Sequence, residues 1–99
     1  MSSNVTVTME LTLKAEAVEP FRAQVGDALV DTRSFPGFVD LSIHFHADDP
    51  NRILFLEEWK SRADYEAYVA FRTETGMMDV MAAMLVQPPR IDIWDKWVP

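Results

Sequence analysis

The spacing of hydrophobic residues changes along this chain from a period of two to a helical period and back again. Residues 4–14 alternate between apolar side chains and threonine, glutamate or lysine, which predicts a β-strand. Residues 19–34 instead carry one apolar stripe at helical spacing. The members of that stripe are Phe21, Val25, Ala28, Leu29 and Thr32. The two periods within one short chain require strands and helices to share a single core.

A hairpin is predicted in the middle of the chain. Residues 38–46 alternate again, and the polar turn at 48–51 separates them from an apolar segment at 53–59. Two strand patterns joined by a loop of this length are typical of antiparallel neighbours. Pro36-Gly37 ends the preceding helix.

The last third of the chain predicts two helices and a final strand. Ser61 is a favourable N-cap for the first helix, and Gly76 ends it. A short amphipathic helix follows up to Pro88-Pro89, and an alternating strand then begins at Ile91 and extends to Trp97.

The resulting order, β-α-β-β-α-(α)-β, predicts an α+β, ferredoxin-like fold over residues 1–99 as a single domain. Right-handed crossovers and the central hairpin give a four-stranded antiparallel sheet with strand order 4-1-3-2. The helices cover only one face of such a sheet, whereas three strands look apolar on more than one face. We therefore expect a second copy to cover the other face, so that two sheets form a dimeric α/β barrel.

Composition limits the functional classes. The 99 residues carry a formal charge of −7, which argues against nucleic acid or an anionic membrane as partner. The absence of cysteine excludes disulfides and thiolate chemistry. No signal peptide or membrane-spanning run is visible, so we expect a cytoplasmic protein.

Two histidines on one predicted strand are candidates for chemistry. His44 and His46 share a face with Asp40 and Ser42, and such a group can bind a metal. A solvated polar face is the simpler interpretation, and we expect no metal. No catalytic triad, phosphate-binding loop or nucleotide motif is present.

Aromatic residues gather around the junction between the third strand and the following helix. Trp59, Tyr65 and Tyr68 would place an indole N–H and phenol hydroxyls beside one apolar cavity, which suits a flat aromatic ligand with a polar edge. They can equally be ordinary core residues. The same two interpretations apply to the methionine cluster at residues 77, 78, 81 and 84.

Two acids, Glu57 and Glu58, interrupt the third strand. One of them must face inward or toward a subunit interface. An ion pair with Arg33, Arg52 or Arg72 is the simpler interpretation, and a general base with a raised pKa is the alternative.

Several short motifs occur together in this order. They are Phe35-Pro36-Gly37-Phe38, Asp48-Asp49-Pro50-Asn51-Arg52, Glu57-Glu58-Trp59-Lys60-Ser61, Tyr65-Glu66-Ala67-Tyr68 and Phe71-Arg72-Thr73-Glu74-Thr75-Gly76. In this arrangement the chain resembles the antibiotic biosynthesis monooxygenase (ABM) family, within the dimeric α+β barrel superfamily. Glu-x-Trp-x-Ser is the most specific of these motifs.

The resemblance implies a homodimer with a pocket between sheet and helices in each protomer. The best-understood members of the family oxidise polycyclic phenols to quinones without a cofactor. His44, Trp59 and Tyr65 occupy the positions that face substrate in that subgroup and are the predicted catalytic residues. Phe55 stands where the subgroup has an asparagine. No histidine follows His46, so the iron ligand of haem-degrading members has no counterpart.

The predicted function is cofactor-independent oxidation of a phenolic or quinol-type aromatic substrate by O2. His44 would accept a proton, while Trp59 and Tyr65 would donate hydrogen bonds to phenolate or peroxide. The predicted substrate-binding residues are Phe55, Tyr68, Arg72 and Met81. An isomerase or lyase, or a non-catalytic small-molecule-binding dimer, is the alternative. His44 lies on the polar side of its strand, so the face it occupies decides whether it can serve a pocket under the helices.

Overall fold

A computed structural model of the protein describes residues 4–99. The strands are β1 (Val5–Thr12), β2 (Phe38–Phe45), β3 (Arg52–Trp59) and β4 (Arg90–Asp95). The helices are α1 (Val18–Ser34), α2 (Arg62–Glu74) and α3 (Met77–Met84), with a short 3-10 turn at Ala15–Ala17 before α1. The predicted order of elements is therefore confirmed. The last strand ends at Asp95, and Trp97 beyond it is 80% exposed.

The four strands form one antiparallel sheet in the order β2-β3-β1-β4. This is the predicted order, and the α+β ferredoxin-like topology is confirmed with it. The central strand β1 pairs with both β3 and β4, so that Val7 lies opposite Glu57 on one side and Ile93 on the other.

One face of the sheet packs against the helices. The odd-numbered residues of β1 and β3 point to this face, because side chains alternate along a strand. Met9, Leu11, Ile53 and Phe55 form a buried core there with Phe21 of α1. The helical stripe predicted for α1 faces this core.

The outer face of the sheet is more polar than the sequence led us to expect. β1 contributes Thr6 and Thr8 to that face, and β2 contributes Ser42 and His44. Its apolar side chains come from β3, where Leu56 is half-exposed, and from Trp94 of β4, which is 54% exposed. The expectation of apolar side chains on both faces holds for β3 but is wrong for β1 and β2, because period-two alternation leaves those two strands with polar side chains here.

The start of α2 is held against the turn that follows α1. Ser61 is the N-cap, and its hydroxyl accepts a hydrogen bond from the Asp64 backbone N–H at 3.1 Å, as predicted. Gly37 has a φ of 88° and accepts a hydrogen bond from the Lys60 N–H at 2.8 Å. A Cβ atom at position 37 would overlap the side chain of Asp64. Glycine is therefore required both by the backbone angle and by the close approach.

Among residues 4–99 no helix is long and apolar enough to cross a bilayer.

Three alanine substitutions separate these two requirements. Gly26→Ala, in α1 with open space around it, should stabilise the protein by about 0.5–1 kcal/mol. Gly76 has a φ of 80° and open space around it, so Gly76→Ala should lower the free energy of unfolding by roughly 1 kcal/mol. Gly37→Ala adds the overlap with Asp64 and should cost roughly 2 kcal/mol or more. Urea unfolding of the three variants measures this order, and equal effects at positions 37 and 76 would contradict it.

Candidate functional site

A cavity of about 420 Å³ lies between the sheet and the three helices. Its floor comes from β1 and β3, and its walls come from α1, α2 and α3. Apolar side chains dominate the lining, including Met77, Met78, Met81 and Met84 of α3. A cavity of this volume is within the range of small-molecule sites. The methionines form one wall of the cavity, and unbranched thioether side chains can adapt to the shape of a ligand.

The structure brings most of the predicted site residues to this cavity. Phe55, Tyr65, Tyr68, Arg72 and Met81 all line it. Trp59 is adjacent but fully buried and does not line it.

His44 is placed elsewhere. It lies on the exposed outer face of the sheet, where its Nε2 is 2.8 Å from the Ser42 hydroxyl. It borders a separate groove of about 200 Å³ with Glu10, His46 and Arg52. The sheet stands between His44 and the main cavity, so the structure does not join His44 with Trp59 and Tyr65 in one protomer. In the described part of the chain, no group of three or more His, Asp or Glu side chains is arranged to hold a metal.

Glu57 is a buried acid at the cavity. It lies on the helix-facing side of β3, is 7% exposed, and has Val7 and Leu41 as its neighbours on the adjacent strands. One carboxylate oxygen, Oε1, accepts a hydrogen bond from the Trp59 indole N–H at 2.9 Å. Within residues 4–99 neither Glu57 nor Glu58 forms an ion pair with an arginine, so the simpler interpretation of these two acids is wrong.

The second oxygen of Glu57, Oε2, has no hydrogen-bond partner among the described residues. No inaccessible side-chain polar atom of the described chain is left without a partner. Since Glu57 lines the cavity, Oε2 is open to it. The cavity therefore contains a carboxylate oxygen that is free to accept a proton or a hydrogen bond from a ligand.

Burial determines the protonation of this site. Removal from water raises the pKa of Glu57, and the hydrogen bond from Trp59 partly opposes that rise. Burial also raises the pKa of Tyr65, helped by the negative charges of Glu57 and of Tyr68 when ionised. Tyr65 is consequently a neutral phenol at physiological pH. No hydrogen bond within residues 4–99 engages its hydroxyl, which makes it a free donor at the cavity wall.

Arg72 and Tyr68 form a buried polar brace between α2 and α1. The Arg72 Nε donates to the Tyr68 hydroxyl at 2.8 Å, and its Nη2 donates to Thr32 Oγ1 at 2.9 Å and to the Ala28 carbonyl at 2.6 Å. The Tyr68 and Thr32 hydroxyls are 2.7 Å apart. Arg72 donates to both of these hydroxyl oxygens, and the two hydroxyls also share one hydrogen bond with each other. The Tyr68 hydroxyl thus has two partners within the brace, and Tyr68 also lines the cavity.

Glu57 was singled out in the sequence only as an alternative, although a signal for it was present. Helix-facing positions of β3 carry Ile53, Phe55 and Trp59, and Glu57 is the acid within that series. An acid at a buried strand position is costly and is usually paired or protonated. The sequence did not reveal that its partner is an indole two residues away.

Comparisons with known proteins agree with this architecture. The family model for antibiotic biosynthesis monooxygenase matches residues 4–72. A comparison with curated proteins finds no match.

Solved structures share the fold at low sequence identity. A conserved protein from Methanosarcina mazei Go1 aligns with a TM-score of 0.86 and 19% identity, over 97% of this chain and 95% of that one. A structure described as an antibiotic biosynthesis monooxygenase gives 0.82 and 22%, over 96% and 99%. SnoaB, a cofactor-independent oxygenase from Streptomyces nogalater, gives 0.83 and 14%, over 99% and 97%.

The buried carboxylate predicts a pH-dependent gain of stability in Glu57→Gln. The folded state holds the Glu57 proton more tightly than the unfolded state, in which the pKa of the Glu57 carboxyl is near 4.5. The stability linked to this proton is present below pH 4.5 and is lost as pH rises through the raised pKa. Glutamine keeps the acceptor for Trp59 and removes the charge.

The Tm difference between Glu57→Gln and the wild type should therefore be near zero at acid pH and grow at neutral pH. Each kcal/mol gained corresponds to roughly 4–8 °C in a domain of this size. Thermal unfolding between about pH 4 and 8 measures it, with Glu58→Gln on the outer face as the matched control. A constant difference at all pH values would contradict the burial argument.

Proposed function

This chain belongs to the antibiotic biosynthesis monooxygenase family, and from that premise we propose that it oxidises an electron-rich phenol or quinol with dioxygen in the cavity beneath its helices. The observation that carries the proposal is the free Glu57 oxygen within an apolar cavity of about 420 Å³. A phenol hydroxyl placed there would meet a base, and its ring would meet Phe55 and the α3 methionines.

The proposed chemistry begins with removal of the phenolic proton. Ground-state dioxygen is a triplet and reacts with singlet organic molecules only after electron transfer. A phenolate supplies that electron far more readily than a phenol. Glu57 is the proposed proton acceptor, in place of His44, because its free oxygen opens to the cavity and His44 lies beyond the sheet.

The remaining steps balance without another reactant. The phenolate gives one electron to O2, and the two radicals join as a ring-carbon peroxide, which takes from Glu57 the proton that Glu57 removed from the phenol. Glu57 then removes the hydrogen of the peroxide-bearing carbon, the O–O bond breaks, and the hydroxide that leaves is protonated to water. The substrate loses two hydrogens and gains one oxygen, which becomes a quinone carbonyl. We propose no cofactor, since the substrate anion itself is the reductant.

Tyr65 is the proposed hydrogen-bond donor to the developing anion. Its hydroxyl has no partner within residues 4–99, and its raised pKa keeps it protonated. A neutral donor held in an apolar cavity stabilises phenolate or peroxide charge without reorganising. Arg72 retains its brace with Tyr68 and contributes positive charge to the cavity wall. Tyr68 is proposed to contact the substrate through its ring.

Oxygen uptake with 1,5-dihydroxynaphthalene tests this function. We expect a naphthoquinone product carrying one atom from ¹⁸O2, and a rate that rises with pH as Glu57 ionises above its ordinary pKa of 4.5. Glu57→Gln should lower the rate by about 10²–10⁴-fold, the usual contribution of a general base. Glu58→Gln and His44→Ala should keep the wild-type rate.

The outcomes also separate the alternatives. Exchange of ligand hydrogens with deuterated solvent at an unchanged oxygen level would favour an isomerase or lyase. Saturable binding with neither reaction would favour a binding protein. Full turnover in Glu57→Gln would remove Glu57 from the mechanism.

We also propose that two copies associate through the outer faces of their sheets. Leu54, Leu56 and Trp94 supply the apolar surface, and the family resemblance implies a homodimer. His44 would then lie at or near the subunit interface.

Light scattering after size exclusion tests this association. The wild type should have the mass of two chains at micromolar concentration. Leu56→Glu should weaken the dimer at least tenfold, because it places a charge in the apolar part of the face. Val30→Glu, at an exposed apolar position on α1, should leave the mass unchanged. A wild-type monomer would contradict the proposal.

A further inference from the structure

We propose that Trp59 is a positioning residue: its indole N–H holds the Glu57 carboxylate by one oxygen and leaves the other oxygen to the ligand. This inference rests on the proposed function, because it assigns Glu57 the task of accepting a proton. It differs from what the family resemblance implies, which is that the tryptophan itself faces the substrate.

The geometry places Trp59 behind the carboxylate and not beside the ligand. Trp59 is 0% exposed and contributes nothing to the cavity lining, whereas Glu57 does line it. Both residues lie on the helix-facing side of β3, two positions apart, so alternation along the strand brings their side chains to the same face. The Trp59 Nε1 donates to Glu57 Oε1 at 2.9 Å. The indole proton is thereby committed to the acid.

Neighbouring rings fix the orientation of the indole. Tyr68 lies 5.0 Å from the Trp59 ring, and Phe38 lies 5.5 Å away at 84°, in an edge-on arrangement. Tyr65 and Phe35 complete the surroundings at 5.8 and 6.3 Å. A side chain packed on several sides retains one rotamer, so the N–H points to one place. The carboxylate it bonds is held in the same way.

Few other charged groups act on Glu57. The adjacent strands present Val7 and Leu41 to it, which do not titrate. From α2, Tyr65, Tyr68 and Arg72 line the same cavity, and Asp27 lines it from α1. The α3 and β4 side chains of the lining are Met77, Met78, Val80, Met81, Met84 and Ile91, none of them ionisable. The indole bond and burial are thus the main influences on Glu57, and they act in opposite directions.

A hydrogen bond to the charged form of an acid favours ionisation. Loss of the Trp59 donor should therefore leave Glu57 protonated over a wider pH range. It should not weaken substrate binding directly, because Trp59 provides no surface to the cavity. The expected effect is a displaced pH profile with little change in KM.

Trp59→Phe, assayed by oxygen uptake with 1,5-dihydroxynaphthalene, tests this split. The midpoint of the acid limb of kcat should move up by about one pH unit, and KM should stay within about twofold. Phe35→Leu is the packing control, since it removes a ring beside Trp59 and keeps the N–H donor. It should leave the midpoint in place. A fivefold rise of KM in Trp59→Phe with an unmoved midpoint would show that the indole contacts substrate and would overturn the proposal.

A second measurement leaves Trp59 unsubstituted. In protein labelled with ¹⁵N-tryptophan, the Trp59 indole resonance should shift with pH along the titration of Glu57. In Glu57→Gln that shift should vanish. Trp94, which donates to Thr8 at 2.9 Å, and the exposed Trp97 serve as internal references. An identical Trp59 response in both proteins would overturn the proposal even if Trp59→Phe does not fold.

Oxygen uptake and the indole titration distinguish a failure of the proposed function from a failure of the positioning role of Trp59. The indole titration requires no turnover, so it tests the Trp59–Glu57 pair in a protein that consumes no oxygen. Absence of oxygen uptake in the wild type would count against the proposed function. A pH-insensitive indole in a protein that does turn over would count against the positioning role of Trp59.

Discussion

The pairing of β1 with both β3 and β4 determines what lies beneath the helices. Because the side-chain period of a strand is two, one register fixes every residue that faces the core. In this register Val7 separates Glu57 from Ile93, and Met9 lies beside Phe55. A shift by one residue would turn Glu57 and Trp59 outward and bring Glu58 under the helices. The cavity and its acid thus both depend on the central strand.

The buried Glu57 carboxylate is tolerated because one of its oxygens is hydrogen-bonded and the other is not enclosed by the core. An indole N–H engages one oxygen, and the cavity receives the other. A fully paired acid would be inert, and an unpaired one deep in a closed core would be strongly destabilising. The Arg72 brace lies in the same cavity wall but bonds to Tyr68, Thr32 and the backbone of α1. Its cation therefore holds two helices together and leaves Glu57 as a base.

The residues around the cavity could be predicted from the sequence, whereas its central acid was predicted only as the less simple of two interpretations. Phe55, Tyr65, Arg72 and Met81 line the cavity, because apolar periodicity and motif order place them on the inner faces of their elements. The sequence left open which face of the sheet His44 occupies, and the structure places it on the outer face. Local spacing shows which side chains of a strand share a face. Long-range packing decides which of the two faces the helices cover.

The sequence by itself determined the number and order of the strands and helices, the sheet order and the membership of a family. Local patterns encode these features, since hydrophobic period, caps and turn residues act within a few positions. Only the tertiary structure decided that Trp59 bonds Glu57, that the Tyr68 and Thr32 hydroxyls bond each other, and that His44 lies beyond the sheet. Each of these depends on distances between side chains, set when the sheet and helices pack into one core.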